Sequence, residues 1–193
     1  MRRVRQNIER LLTGLTEQGY DFAKNRDGSP RQWRSEPHSF PTPDTSDIIG
    51  EIEAIAGRLP LSLFAFWETV GGIDLTGYFP GQSWPQAYGP LQVWQAKDFL
   101  TELLSLKGDF VHLKPGSQEP VVFSIEATGN SLTVALPATS EIDFMIVELS
   151  PPTTFVSYLR TAFQWAGFPG LARFNNYPTP PEILTLRQNL LPF

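Results

Sequence analysis

The amino-acid sequence predicts an α+β fold with a mostly antiparallel sheet. Three observations carry this expectation. Helical periodicities come first, consecutive strand-like runs follow, and helical periodicities return, whereas an alternating α/β chain would interleave the two kinds of element. Hydrophobic residues make up 41% and charged residues 18% of the 193 positions, a globular balance. The 15 Gly and 18 Pro exceed average usage, so many joints are set by turn chemistry rather than by long regular elements.

The elements can be justified in chain order. Val4, Ile8, Leu11, Leu12 and Leu15 recur at helical spacing and mark one apolar face, with Gly19 as the stop. A polar, turn-rich stretch follows, in which Tyr20 to Phe22 and Gln32 to Trp33 could form short strands around the Asp27-Gly28 turn. Pro37, Pro41 and Pro43 make the next residues extended. Residues 1–45 thus read as an N-terminal helix and Pro-rich arm, and 46–193 as the α+β domain proper.

That domain opens with a helix near Asp47 to Gly57 whose apolar face is Ile48, Ile49, Ile52, Ile55, Ala56 and Leu59. Pro60 starts a second helix, where its missing N–H does no harm, and this helix is expected to bury Leu63, Phe64, Phe66, Trp67 and Val70 before Gly71-Gly72 ends it. Leu91 to Trp94 reads as a strand. Lys97 to Lys107 reads as a helix with Phe99, Leu100, Leu103 and Leu104 inward. Strands are expected over Phe110 to Leu113, Pro120 to Glu126, Ser131 to Leu136 and Asp143 to Leu149, with turns at Gly116-Ser117 and Gly129-Asn130. A helix from Thr153 or Thr154 carries Phe155, Leu159, Ala162, Phe163 and Ala166 on one face, and Gly167 and Pro169 end it. A last helix starts at Pro181, with Ile183, Leu184, Leu190 and Leu191 as its contacts.

Composition narrows the function. Net charge is −5, and the only basic cluster is Arg2, Arg3, Arg5 and Arg10, so direct nucleic-acid binding is not expected. With no cysteine, thiolate metal sites and cysteine nucleophiles are excluded. The start lacks the apolar core and cleavage site of a signal peptide, and no run approaches 18 apolar residues. A cytoplasmic protein that does not enter the membrane is the expectation.

Catalytic constellations are sparse. The two histidines, His38 and His112, have no metal-ligand spacing around them. Gly81-Gln82-Ser83-Trp84-Pro85 starts like a nucleophile elbow but ends in proline, and no phosphate-binding loop is present. Glu141 and Asp143 would share one strand face while Glu148 takes the other; the pair either binds a cation weakly or forms a solvated face. No enzyme, cofactor or metal is expected. A small hydrolase using His112 or these carboxylates is the alternative of another class.

The unusual segment is the loop from Ile73 to Pro90, with Tyr78, Phe79, Trp84 and Tyr88 set among Gly, Pro, Ser and Gln. Its rings either pack over the core or form a recognition surface, since Tyr and Trp combine large stiff contact area with a polar tip. Asp74, Tyr78, Trp84 and Tyr88 are the candidate partner-binding residues.

The stretch IEAIAGRLPLSLFAFWETVGGIDL resembles the signature of the SUKH superfamily, in its Smi/Knr-type branch. The match lies in Ile52, Glu53, Leu59-Pro60, Phe64, Phe66, Trp67 and Gly71-Gly72. Tyr88-Gly89-Pro90-Leu91-Gln92-Val93 resembles the lead into that family's central strands, although Gly89 stands where relatives often carry an acidic residue. TFVSYLRTAFQWAGFPGL is similar to a C-terminal helix and turn of some relatives. The resemblance spans about residues 46–171. It implies a curved sheet with helices packed against it and a non-catalytic role: a bacterial immunity protein that binds and neutralises a cognate toxin. Such toxins include basic nucleases, towards which an acidic chain is steered. A regulator or scaffold of the same fold, with a partner that is not a toxin, is the nearest alternative.

Overall fold

The computed structural model of the chain describes residues 1–25, 27–31, 36–82, 89–105, 121–124, 133–136, 142–146, 152–173 and 178–193. Its helices are α1 (Arg2–Glu17), α2 (Thr45–Ala56), α3 (Leu61–Thr69), α4 (Ala96–Ser105), α5 (Phe155–Gln164) and α6 (Pro181–Gln188), with a 3-10 turn at Pro169–Arg173. The strands are β1 (His38–Ser39), β2 (Gly72–Asp74), β3 (Gln92–Val93), β4 (Val121–Ser124), β5 (Thr133–Leu136), β6 (Met145–Ile146) and β7 (Thr153–Thr154). The chain is α+β. One sheet has the order β1-β2-β3 and the other β4-β5-β6-β7. In the second sheet every pairing is antiparallel, with Val121 opposite Leu136, Val134 opposite Ile146 and Met145 opposite Thr154. The expected strand at 110–113 and the turns at 116–117 and 129–130 lie outside the described residues, as do Gln32 and Trp33.

The chain divides into two compact units. The first gathers Met1–Ser39, Ile73–Gln92 and Tyr158–Phe193; the second holds Phe40–Gly72 and Val93–Ser157. The arm therefore shares its unit with the C-terminal helices.

In the first unit, α1 buries Val4, Ile8, Leu11 and Leu15 completely, the face its periodicity marks. Leu12 stays half-buried at the edge of that stripe. Tyr20 is the hub of the loop region. Its hydroxyl donates to the Leu75 carbonyl at 2.8 Å, and its ring meets Phe22, Phe79 and Phe168 edge-on at 4.9, 5.9 and 6.0 Å between centroids. Helix α5 ends through two left-handed residues, Ala166 at φ 49° and Gly167 at φ 88°. The Gly167 N–H closes the turn on the Ala162 carbonyl at 2.8 Å.

In the second unit the core is aromatic. Trp67 donates its indole N–H to the Trp94 carbonyl at 2.8 Å and packs on Phe99 at 5.2 Å. Phe155 stacks on Phe144 at 4.9 Å and meets Phe66 edge-on at 5.5 Å. The tandem glycines divide the labour. Gly71 takes the left-handed φ of 90° that ends α3, while Gly72 lets the backbone pass Gln95, whose nitrogen would lie 2.9 Å from any added Cβ.

Several inward assignments are corrected. Phe64, Ile55, Leu104 and Leu184 are exposed. Each of their helices buries other apolar positions on one side, and a single face is too narrow to take every apolar residue on offer. Helix α5 begins at Phe155 rather than at Thr153 or Thr154, which form β7 instead.

Candidate functional site

Asp74, at the end of β2, is the centre of a polar clasp in the first unit. The Arg31 guanidinium forms an ion pair with its Oδ2 and also donates to the Thr76 carbonyl at 3.2 Å. Gln92 Nε2 and the Thr76 N–H both donate to Asp74 Oδ1, at 2.7 and 2.9 Å. Burial pushes the Asp74 carboxyl up, but the hydrogen bond from Arg31 and that from the Thr76 N–H outweigh it and hold the group below the usual carboxylate range. The Asp74 carboxylate is thus spent on tying the arm to β2 and β3.

Tyr78 is half-buried. It exchanges two backbone hydrogen bonds with Asp21, at 2.8 and 3.0 Å, and its ring carries the Lys24 ammonium 5.5 Å from its centroid. Gly28 lies against the same ring, where a Cβ would stand 3.2 Å from it. Asp74 and Tyr78 therefore sit on one loop system, the first committed internally and the second partly displayed. Trp84 and Tyr88 lie outside the described residues, as do Ser83, His112, Glu141 and Glu148. His38 is buried in β1.

Asp143 does not face solvent alone. It accepts from the Ser62 hydroxyl at 2.7 Å, the Phe144 N–H at 3.0 Å and the Val156 N–H at 3.2 Å. The last contact places a carboxylate at the N-terminus of α5, where the helix dipole favours it. Among the described residues, no three His, Asp or Glu side chains converge as metal ligands. No described helix is long and apolar enough to cross a membrane.

The second unit displays apolar side chains. Leu61 is 57% exposed, Phe64 39%, Ile142 79% and Met145 42%. Leu61 and Phe64 lie three residues apart on α3, one helical face. The Ser62 N–H donates to the Ile142 carbonyl at 2.9 Å, which ties the backbone at Ile142 to the start of α3. The same unit contains a cavity of about 250 Å³ whose lining includes Phe40, Asp44, Ile48, Trp67 and Lys97. A hydrogen bond with Thr42 and, more weakly, the Lys97 charge hold the Asp44 carboxyl below its usual value.

Sequence reasoning missed the apolar display because it placed Phe64 inward with its apolar neighbours, and nothing local reveals which side of α3 meets solvent. It also missed the Arg31–Asp74 clasp, which joins positions 43 apart. One signal was legible: Asn7 lies within the apolar stripe of α1, between Val4 and Leu11, and a polar residue there implies a buried partner. No family model, curated protein or solved structure matches the chain.

Proposed function

We propose that this chain is a non-catalytic, protein-binding domain with a SUKH-like fold, acting in the cytoplasm as an immunity protein that neutralises a cognate bacterial toxin. The observation that supports the reading is the display of Leu61, Phe64 and Ile142 around one hydrogen-bonded junction of the second unit. Contiguous exposed apolar side chains rimmed by polar ones mark protein interaction sites. Such side chains carry binding energy when a partner desolvates them, while the net charge of −5 speeds encounter with a basic partner.

The test pairs the full chain with the purified product of a neighbouring toxin gene. A one-to-one complex is expected, with inhibition of the toxin and loss of affinity by about a hundredfold in the Leu61→Asp/Ile142→Asp variant, as removal of central contacts does. Absence of any complex would refute the immunity role. A tight complex indifferent to the double substitution would move the interface away from α3.

A further inference from the structure

The cavity of the second unit differs from the apolar display on α3 because it sets a carboxylate among apolar walls. Its volume of about 250 Å³ falls just below the roughly 300–1,000 Å³ of pockets that take drug-sized ligands, so a single side chain or a group of that size is its fitting occupant. Phe40, which is 51% exposed, and Ile48 and Trp67 supply apolar lining. The Trp67 indole N–H is already given to the Trp94 carbonyl, so this ring offers an occupant hydrocarbon surface rather than a donor.

Charge selects among occupants. Asp44 lines the cavity from the residue just before α2, and its side chain caps no N–H of that helix. Lys97 lines it from the first turn of α4. Neither forms an ion pair with the other or with any other described residue. Of the influences that lower the Asp44 carboxyl, the hydrogen bond with Thr42 is the largest and the Lys97 charge the smallest, so Lys97 leaves the carboxylate largely uncompensated. Lys97 is exposed, and its long stem can carry the ammonium into water, whereas the short Asp44 side chain keeps its charge beside the helix start. The field of the unit acts in the same direction. Thirteen of the chain's 20 Asp and Glu, but only four of its 15 Lys and Arg, fall in this unit, so it draws cations in preference to anions or zwitterions. A cation on an aliphatic stem satisfies both demands: the stem packs on the apolar lining and the head meets Asp44. Arginine fits better than lysine, because its planar head pairs with a carboxylate through two N–H groups and also stacks on aromatic rings.

We propose that this cavity receives a basic side chain, arginine before lysine, from the protein partner of the chain. The inference rests on the protein-binding reading above and deepens it, giving an otherwise diffuse attraction for a basic partner one fixed anchor point.

The first arm of the test needs no partner. The full chain is titrated with N-acetyl-arginine methylamide while backbone amide shifts are followed by NMR. Saturable shifts are expected at Thr45 to Ile48 and at Ala96 and Lys97. N-acetyl-norleucine methylamide, which has the stem without the charge, is expected to bind more weakly. Asp44→Asn is expected to weaken the arginine probe by about fivefold, the upper end for an accessible ion pair, and Lys97→Gln to strengthen it by about twofold. Asparagine serves at a helix start as well as aspartate does, so the first variant keeps its fold. Equal affinity for the two probes, or no saturable shift with either, would overturn the proposal. Loss of binding in Lys97→Gln would do the same, since the occupant would then be an anion or a zwitterion. The second arm repeats Asp44→Asn in the complex with the toxin, where a loss of at least about tenfold is expected. A toxin complex indifferent to that substitution would refute a partner side chain as the occupant and leave a free small cation. Binding of the arginine probe by a chain that forms no toxin complex would instead refute the immunity role alone.

Discussion

The two units are held together by different means. The first is assembled from three stretches far apart in sequence, and it joins them with buried, reciprocated polar groups. Arg31 and Asp74 tie the arm to β2, Gln92 adds β3, and Asn7 ties α1 to Leu191, just past α6, by a reciprocal pair of hydrogen bonds at 3.1 and 2.7 Å. The second is built from two stretches, and its centre is a packed set of rings around Trp67, Phe66, Phe144 and Phe155. Its surplus apolar side chains point outwards at Leu61, Phe64 and Ile142. Where segments must find distant partners, directional bonds fix which residues meet. Where packing already does so, apolar surface can be left over for a partner.

The sharpest way to break this contrast is to remove the central group of each unit. Trp67→Ala is expected to lower stability by about 3–5 kcal/mol in chemical denaturation, because it leaves a large cavity and orphans the Trp94 carbonyl. Asp74→Ala strands a largely buried guanidinium and is expected to cost about 3 kcal/mol by the same measurement. A loss below about 0.5 kcal/mol would show that the clasp is ornamental.

Acid sharpens the same point. The Asp74 carboxyl titrates below its unfolded value, so it contributes stability that is fully present above about pH 4 and is lost as pH falls through the lowered folded value. The stability gap between the wild type and Asp74→Ala is therefore expected to close on acidification below pH ~4. A gap that stays constant with pH would assign the effect to packing instead. At the small end, Leu61→Asp is expected to change stability by no more than about 0.5 kcal/mol, as exposed positions do; a larger loss would mean that Leu61 belongs to the core.

Legibility followed the range of the forces involved. The stripes of α1 and α5 could be read because their periodicity is local, and Val4, Ile8, Leu11, Leu15, Phe155, Leu159, Ala162, Phe163 and Ala166 are all buried as the spacing implies. The pairing of β4 with β5 followed from two strand-like runs on either side of Gly129-Asn130. The exposure of Phe64 and Leu104 was not legible, since both helices carry more apolar residues than one face can cover. Of the candidate binding residues, Asp74 carries a functional-looking charge, yet its partner Arg31 lies 43 positions upstream and only the folded chain brings them together.

The discontinuous make-up of the first unit bears on biosynthesis. Helix α1 leaves the ribosome early, yet Asn7 meets its partner Leu191 only after a further 184 positions have been added. Elongation at about 5–20 residues per second leaves that helix waiting on the order of ten seconds or more. During this interval the apolar side of α1 is open to chaperones, and translational pausing before Leu191 would lengthen that exposure.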